Sequence, residues 1–459
     1  MNINKNFISS AHTYFFGACF LFIFFLNLEN YVGSKFLFFL FNLLSFGLFL
    51  TAIRTNANSF EFFFYILLLL GFWFKFSCIL YFDRFNLTEG DFDLNISNYD
   101  AAIILGTTAF MACIFASFAK EFFFNKFLGK KVFIVKSEFF SFYIKYRYAI
   151  LSLFVLFVIL ILSLNFFFKI YSKGLINNDN PIYIHRFFAW CFTYGISVLT
   201  SLLIYVDFSI SKTKSYFILG ILETFFVNIS IYSRAFALYF VAYFRGFMKL
   251  TEFNKNNFIK ITFLLFIISS ISFYSVAQLR NKYFISENEY NPKTIVASFS
   301  GITDLIVNRW VGIDSALAVS QKKDLNFNFF ISSLAEEKQH QKQSFYMKHF
   351  LKRFVFDSYA NKNLNTVILP GLVAFLYYSG SLIFVFLSIV AIVFFCSLIE
   401  ACFFRLSFNN VILSNIIGFV LAMRVAHFGY LPFNTVYFLF SLVITLLFVY
   451  FLSKLIWKK

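Results

Sequence analysis

The sequence predicts an all-α polytopic membrane protein of about twelve transmembrane helices, with one large loop outside the membrane. Three observations carry this. The 459 residues are 60% hydrophobic and only 13% charged, with a mean hydropathy of +0.76. A soluble domain of that size needs roughly a quarter of its residues charged. Apolar runs of about 20 residues, the length that crosses a hydrocarbon core, recur along the chain. They are interrupted at length by a single polar stretch, Gln278–Leu369.

The predicted spans run in order as His12–Leu28, Ser34–Ile53, Phe60–Phe82, Ala101–Phe123, Ala149–Ile170, Phe187–Asp207, Tyr216–Tyr232, Ala235–Leu250, Ile259–Val276, Ser379–Phe403, Val411–Ala426 and Asn434–Leu455. The short polar N-terminus precedes an apolar run that reads as a retained span, not a cleaved signal. Lysine and arginine collect in cytoplasmic loops. The connection Lys120–Arg147, the turns at Lys212 and Lys249, and the C-terminal lysines are therefore expected inside. The acidic loop Asp83–Asp100 and the segment Gly174–Ile184 are expected outside. An even number of crossings puts both termini in the cytoplasm. The chain divides into N-terminal helices (1–277), a large outer loop with short helices (278–369) and C-terminal helices (370–459).

Composition also excludes functions. The net charge of +17 is that of a positive-inside membrane protein, and no nucleic-acid motif accompanies it. The 79 Phe, together with abundant Lys, Asn, Ile and Tyr, read as the codon bias of an AT-rich bacterial genome. The six cysteines lie in apolar segments without metal-ligand spacing. No phosphate-binding loop, dinucleotide fingerprint or metalloprotease helix is present, and no cofactor is implied.

The long loop carries the candidate chemistry. A helical pattern runs through Ile302–Val319, and Phe345–Phe356 forms a basic amphipathic helix suited either to a membrane surface or to packing on the loop. Arg234, Arg280, Arg309 and Arg424 all fall at the expected outer face. Arginine at membrane depth is expensive and normally has a partner or ligand. It binds phosphate through two parallel hydrogen bonds and stays charged. Converging arginines would suit a lipid diphosphate, although each could instead pair with a carboxylate. Asp304, Asp314, Glu336, Glu337 and Asp357, with His340, His349 and His427, are candidates for proton transfer.

Three stretches resemble a known family. They are Asn308-Arg309-Trp310-Val311-Gly312-Ile313-Asp314, then Pro370-Gly371 with Phe375–Ser381, then Arg424–Asn434, with Ser233-Arg234 as a shorter fourth. They are similar to segments of bacterial O-antigen polymerases of the Wzy type, and the likeness covers about Ser230–Asn434. It implies a GT-C-like membrane glycosyltransferase of the bacterial inner membrane. Such an enzyme joins undecaprenyl-diphosphate-linked oligosaccharide repeat units into surface polysaccharide at the periplasmic face. Arg309, Arg280 and Asp314 would be catalytic; Arg234, Arg424, His427 and Arg353 would bind substrate. Asp314 stands where the family segment leads one to expect Glu. The implied partners are the lipid-linked oligosaccharides, the bilayer and a chain-length regulator, with no nucleic acid and no metal. A lipid-linked oligosaccharide flippase or transporter and an O-antigen ligase are the competing readings. Against the transporter stand the missing internal symmetry and the long loop.

Overall fold

Apolar runs in a medium without water must satisfy their backbone groups internally, and helices do so within one segment. The computed structural model describes residues 17–54, 58–82, 96–124, 134–172, 182–212, 216–233, 236–251, 310–336, 344–351, 368–429 and 431–458, with isolated positions between 267 and 307.

Helix α1 covers Gly17–Leu28 and α2 Lys35–Ile53. A third span, Ser59–Phe82, consists of α3 (Ser59–Leu68), a π-helical turn (Leu69–Phe74) and α4 (Lys75–Phe82). Helices α5 (Ile96–Phe124) and α6 (Ser137–Phe168) follow, with the two-residue strand β1 (Ile134–Val135) between them. Next, α7 (Ile182–Trp190) passes through a second π-helical turn (Cys191–Gly195) into α8 (Ile196–Ser211). Helices α9 (Phe217–Ser230) and α10 (Phe236–Leu250) are shorter. Within the long loop lie α11 (Ile313–Ser320), α12 (Phe327–Leu334) and α13 (Phe345–Phe350). Helix α14 (Gly371–Leu376) leads to α15 (Leu382–Leu406), α16 (Val411–Ala426) and α17 (Asn434–Ile456), and strand β2 (Trp457–Lys458) closes the order.

Among the described residues, seven helical stretches are long and apolar enough to cross a membrane, and three shorter apolar helices accompany them. The expected span Ile259–Val276 lies mostly outside the described residues. Exposure separates the spans. The best window of Ser59–Phe82 is 78% buried, whereas that of α6 is 22% buried and turns Leu153, Leu156 and Ile159 outward. Exposed aliphatic faces of this length belong in lipid.

The chain forms two compact units, each discontinuous in sequence. The first comprises Met1–Phe127, Val296–Ser397 and Leu421–Val436. In it α2 packs along α5 and against the π-helical span, with Phe41 edge-on to Phe76 and Phe72 edge-on to Phe110. Several polar groups inside it are paired, as a low dielectric favours. The Trp73 indole donates to Asn42 Oδ1 at 2.9 Å. Lys120 Nζ meets Glu61 Oε2 at 2.5 Å, and Ser117 donates to Glu61 Oε1 at 3.0 Å.

The second unit comprises Leu128–Ile295, Leu398–Val420 and Tyr437–Lys459. Gly246 lets α10 approach the backbone of α16, since a Cβ there would stand 2.8 Å from Ile412 Cα. Arg147 grips Asp207 with two bonds, Nε to Oδ1 at 2.7 Å and Nη2 to Oδ2 at 3.0 Å, and Tyr143 adds a third donor at 2.9 Å. Strands β1 and β2 pair antiparallel, so Ile134 and Val135 of the lysine-rich connection meet Lys458 and Trp457 at one end of this unit.

Two expectations for the loop change. Of the expected pattern Ile302–Val319, residues 302–306 lie outside the described residues, residues 310–312 are not helical, and α11 holds Ile313–Ser320, packed on α5 and α14 inside the first unit. Helix α13 does present the expected apolar face, but Tyr346, Met347 and Phe350 are buried and Phe350 stacks on Tyr378 at 5.4 Å. Those residues pack on protein, not on a membrane surface. Ser344 caps α13 by accepting from Met347 N at 3.1 Å.

Candidate functional site

Within the first unit the three stretches singled out in the sequence meet at one junction. Its base is the π-helical turn of the third span. A Cβ on Gly71 would lie 2.1 Å from Val311 O, and one on Gly312 would lie 2.5 Å from the Gly71 carbonyl carbon. Backbone therefore rests on backbone, which only glycine on both sides allows. Wide π turns of this kind often mark functional positions. Gly371 has φ +75°, and a Cβ there would stand 2.7 Å from Val311 Cγ1 and 3.2 Å from Ala426 O. Gly429, at φ +114°, makes the matching approach to Pro370 Cγ, 2.3 Å from where its Cβ would be. Residues 310–314, 370–371 and 426–429 thus form a single knot, with Phe375 edge-on to Phe428 at 4.9 Å.

A buried ion pair sits in this knot. Lys75 is 3% exposed; its Nζ donates to Trp310 O at 3.0 Å and pairs with Asp314 Oδ2. Asp314 lies in the first turn of α11, where a carboxylate is favoured by the helix dipole. Its other oxygen, Oδ1, is buried without a hydrogen-bond partner among the described residues, as is the indole Nε1 of Trp310. Buried polar atoms are nearly always satisfied by protein, water or ligand.

Glu336 ties the knot to α13. Its Oε1 accepts from Phe345 N at 2.6 Å and its Oε2 from Leu431 N at 3.1 Å. Burial pushes the Glu336 carboxyl up from its ordinary value, against the two backbone bonds that favour the ionised form. Arg424 Nη2 donates to Thr435 Oγ1 at 3.1 Å, and His427 Nδ1 lies 3.0 Å from Met423 O. Arg234, Arg280, Arg309 and Arg353 lie outside the described residues, although Arg309 immediately precedes Trp310.

Sequence reasoning found Asp314, Glu336, Arg424 and His427 but passed over Lys75, Gly71 and the Trp310 indole. A lysine inside a long apolar span was the available signal for Lys75.

Fold and site together define an all-helical membrane protein with a buried charged junction. No family model, curated protein or solved structure matches the chain.

Proposed function

We propose that this protein is an O-antigen polymerase of the Wzy type, a GT-C-like glycosyltransferase of the bacterial inner membrane. In this reading it has about twelve spans and both termini in the cytoplasm. The carrying observation is the meeting of the three family-like stretches at a buried junction that holds Lys75, Asp314 and two polar atoms without a hydrogen-bond partner among the described residues.

The reaction fits that chemistry. An acceptor hydroxyl of an incoming lipid-linked repeat unit attacks the anomeric carbon of the growing glycan. The bond to the diphosphate breaks, and undecaprenyl diphosphate leaves with the electron pair. Asp314 Oδ1 takes the hydroxyl proton, while Lys75 holds Oδ2 and so fixes the direction of the free oxygen. Arg309 and Arg280 are assigned to the diphosphate, whose negative charge grows as the bond breaks. Arg234, Arg424, Arg353 and His427 assist in binding. The step requires neither nucleotide nor cofactor.

The test is complementation of a deletion strain with Arg309→Ala and, separately, Asp314→Asn, with membrane levels of each variant checked. Both are expected to give core carrying a single repeat unit. Polymer of normal length from either variant removes that residue from the site.

A further inference from the structure

The second unit holds an acidic group that this reaction does not use. Glu223 lies halfway along α9, is 5% exposed and, among the described residues, has no basic side chain as a hydrogen-bond partner. Ser197 Oγ donates to its Oε1 at 2.8 Å and Tyr243 Oη to its Oε2 at 2.6 Å. Ser197 sits just after the second π-helical turn, and Tyr239 donates at 2.6 Å to Thr193 O within that turn. An ionisable group at membrane depth is expensive to keep and is functional by default.

The bonding around Glu223 has two states. Tyr243 Oη also lies 3.2 Å from the Ser197 carbonyl. When the carboxylate is ionised, both hydroxyls donate to it. When it carries a proton, it can donate to Tyr243 Oη, and the tyrosine hydrogen turns to Ser197 O. Every polar atom keeps a partner in either state, which a purely structural acid does not need.

Two cavities reach the group. One, of about 680 Å³, is apolar and half-open; it lies between α6 and α9 and is lined by Phe154, Val158, Leu162 and Phe226 as well as Glu223. The other, of about 10 Å³, has room for about one water centre and is lined by Ser197, Thr224, Asn228, Ser233 and Tyr239. Among the described residues, the titratable side chains facing Glu223 are Tyr243 and Tyr239 from α10. None of the residues that α6 contributes to the larger cavity is titratable, and from α8 the facing group is the Ser197 hydroxyl.

We propose that Glu223 is a reversible proton-binding site, switched by Tyr243 and Ser197 and reachable from the hydrocarbon side through the larger cavity. The ligand is a single proton, taken up from and returned to water by way of the small polar cavity. This does not rest on the polymerase reading.

The test is labelling of the full-length protein in lipid vesicles with dicyclohexylcarbodiimide, a membrane-soluble reagent for protonated carboxyls, with the adduct located by peptide mass spectrometry. The expected result is an adduct on Glu223 whose yield falls about tenfold per pH unit once the site ionises. Tyr243→Phe, which removes a donor to the ionised form, moves that profile to higher pH. No adduct on Glu223 at any pH in folded wild-type protein, a yield independent of pH, or a profile unmoved by Tyr243→Phe would each overturn the proposal.

Discussion

Replacing Lys75 by Met tests the junction most sharply, because the structure fixes both the size of the loss and the way to reverse it. The side chains of Lys75 and Asp314 are 3% and 16% exposed, which removes them from the regime where ion pairs contribute little. Removing one member of a buried pair strands the other and costs about 3–5 kcal/mol. Replacing both by apolar residues of similar volume is close to neutral in that same regime. Here Trp310 O also loses its donor, which adds about 1 kcal/mol. Lys75→Met alone should therefore lose about 4 kcal/mol. Lys75→Met with Asp314→Leu should return to within roughly 1–2 kcal/mol of the parent, recovering about 2–3 kcal/mol of the loss from Lys75→Met alone. Reversible unfolding in mixed micelles against added dodecyl sulfate reads these values. The double variant should regain stability and still fail to make polymer, because the Asp314 carboxylate is gone. Losses that simply add in the double variant would refute the buried pair.

Other consequences follow from the same geometry. Gly71→Ala places a methyl 2.1 Å from Val311 O and should destabilise by about 1–3 kcal/mol. Gly47→Ala in α2 meets only Ile114 Cδ1 at 3.4 Å and should be neutral or stabilising by up to about 1 kcal/mol in the same unfolding assay. Because the folded state holds Glu336 above its ordinary value, it binds that proton more readily than the unfolded chain does. Stability from this group is present below the unfolded value of about 4.5 and is lost as pH rises through the folded value. Glu336→Gln should flatten that slope, and an unchanged pH profile would rule out the assignment. Arg147→Ala removes both guanidinium bonds and the countercharge of the fully buried Asp207 and should cost about 3 kcal/mol; Arg147→Lys, keeping charge but losing the paired bonds, should cost less.

What was legible in the sequence follows from range. Span positions depend on local apolar composition, and α16 coincides with the expected Val411–Ala426. Helix α6 begins at Ser137, well before the expected Ala149, and its first turns are held by a distant contact, with Tyr143 buried against Asp207. The π-helical turns carry no periodic signal; they are fixed by packing, in one case by Gly71 against Gly312. The helix at Phe345 was correctly patterned, yet only the structure shows what covers its face, since Tyr378 and Phe329 come from other elements. Lys75 and Trp310 are 235 residues apart, and no local rule joins them. Glu223 likewise depends on Ser197 and Tyr243 from two other helices. Types of chemistry could be read from residue identity, but partnerships across the fold could not.

The central claim is that the protein lengthens a lipid-linked glycan, and deletion of the gene in its own host tests it most directly, with surface polysaccharide resolved on a gel. The expected result is a ladder collapsed to core plus one repeat unit, restored by the wild-type gene. Complete loss of O-antigen, with lipid-linked units accumulating, would contradict it in favour of a ligase or a flippase, and the membrane face holding those units would tell the two apart.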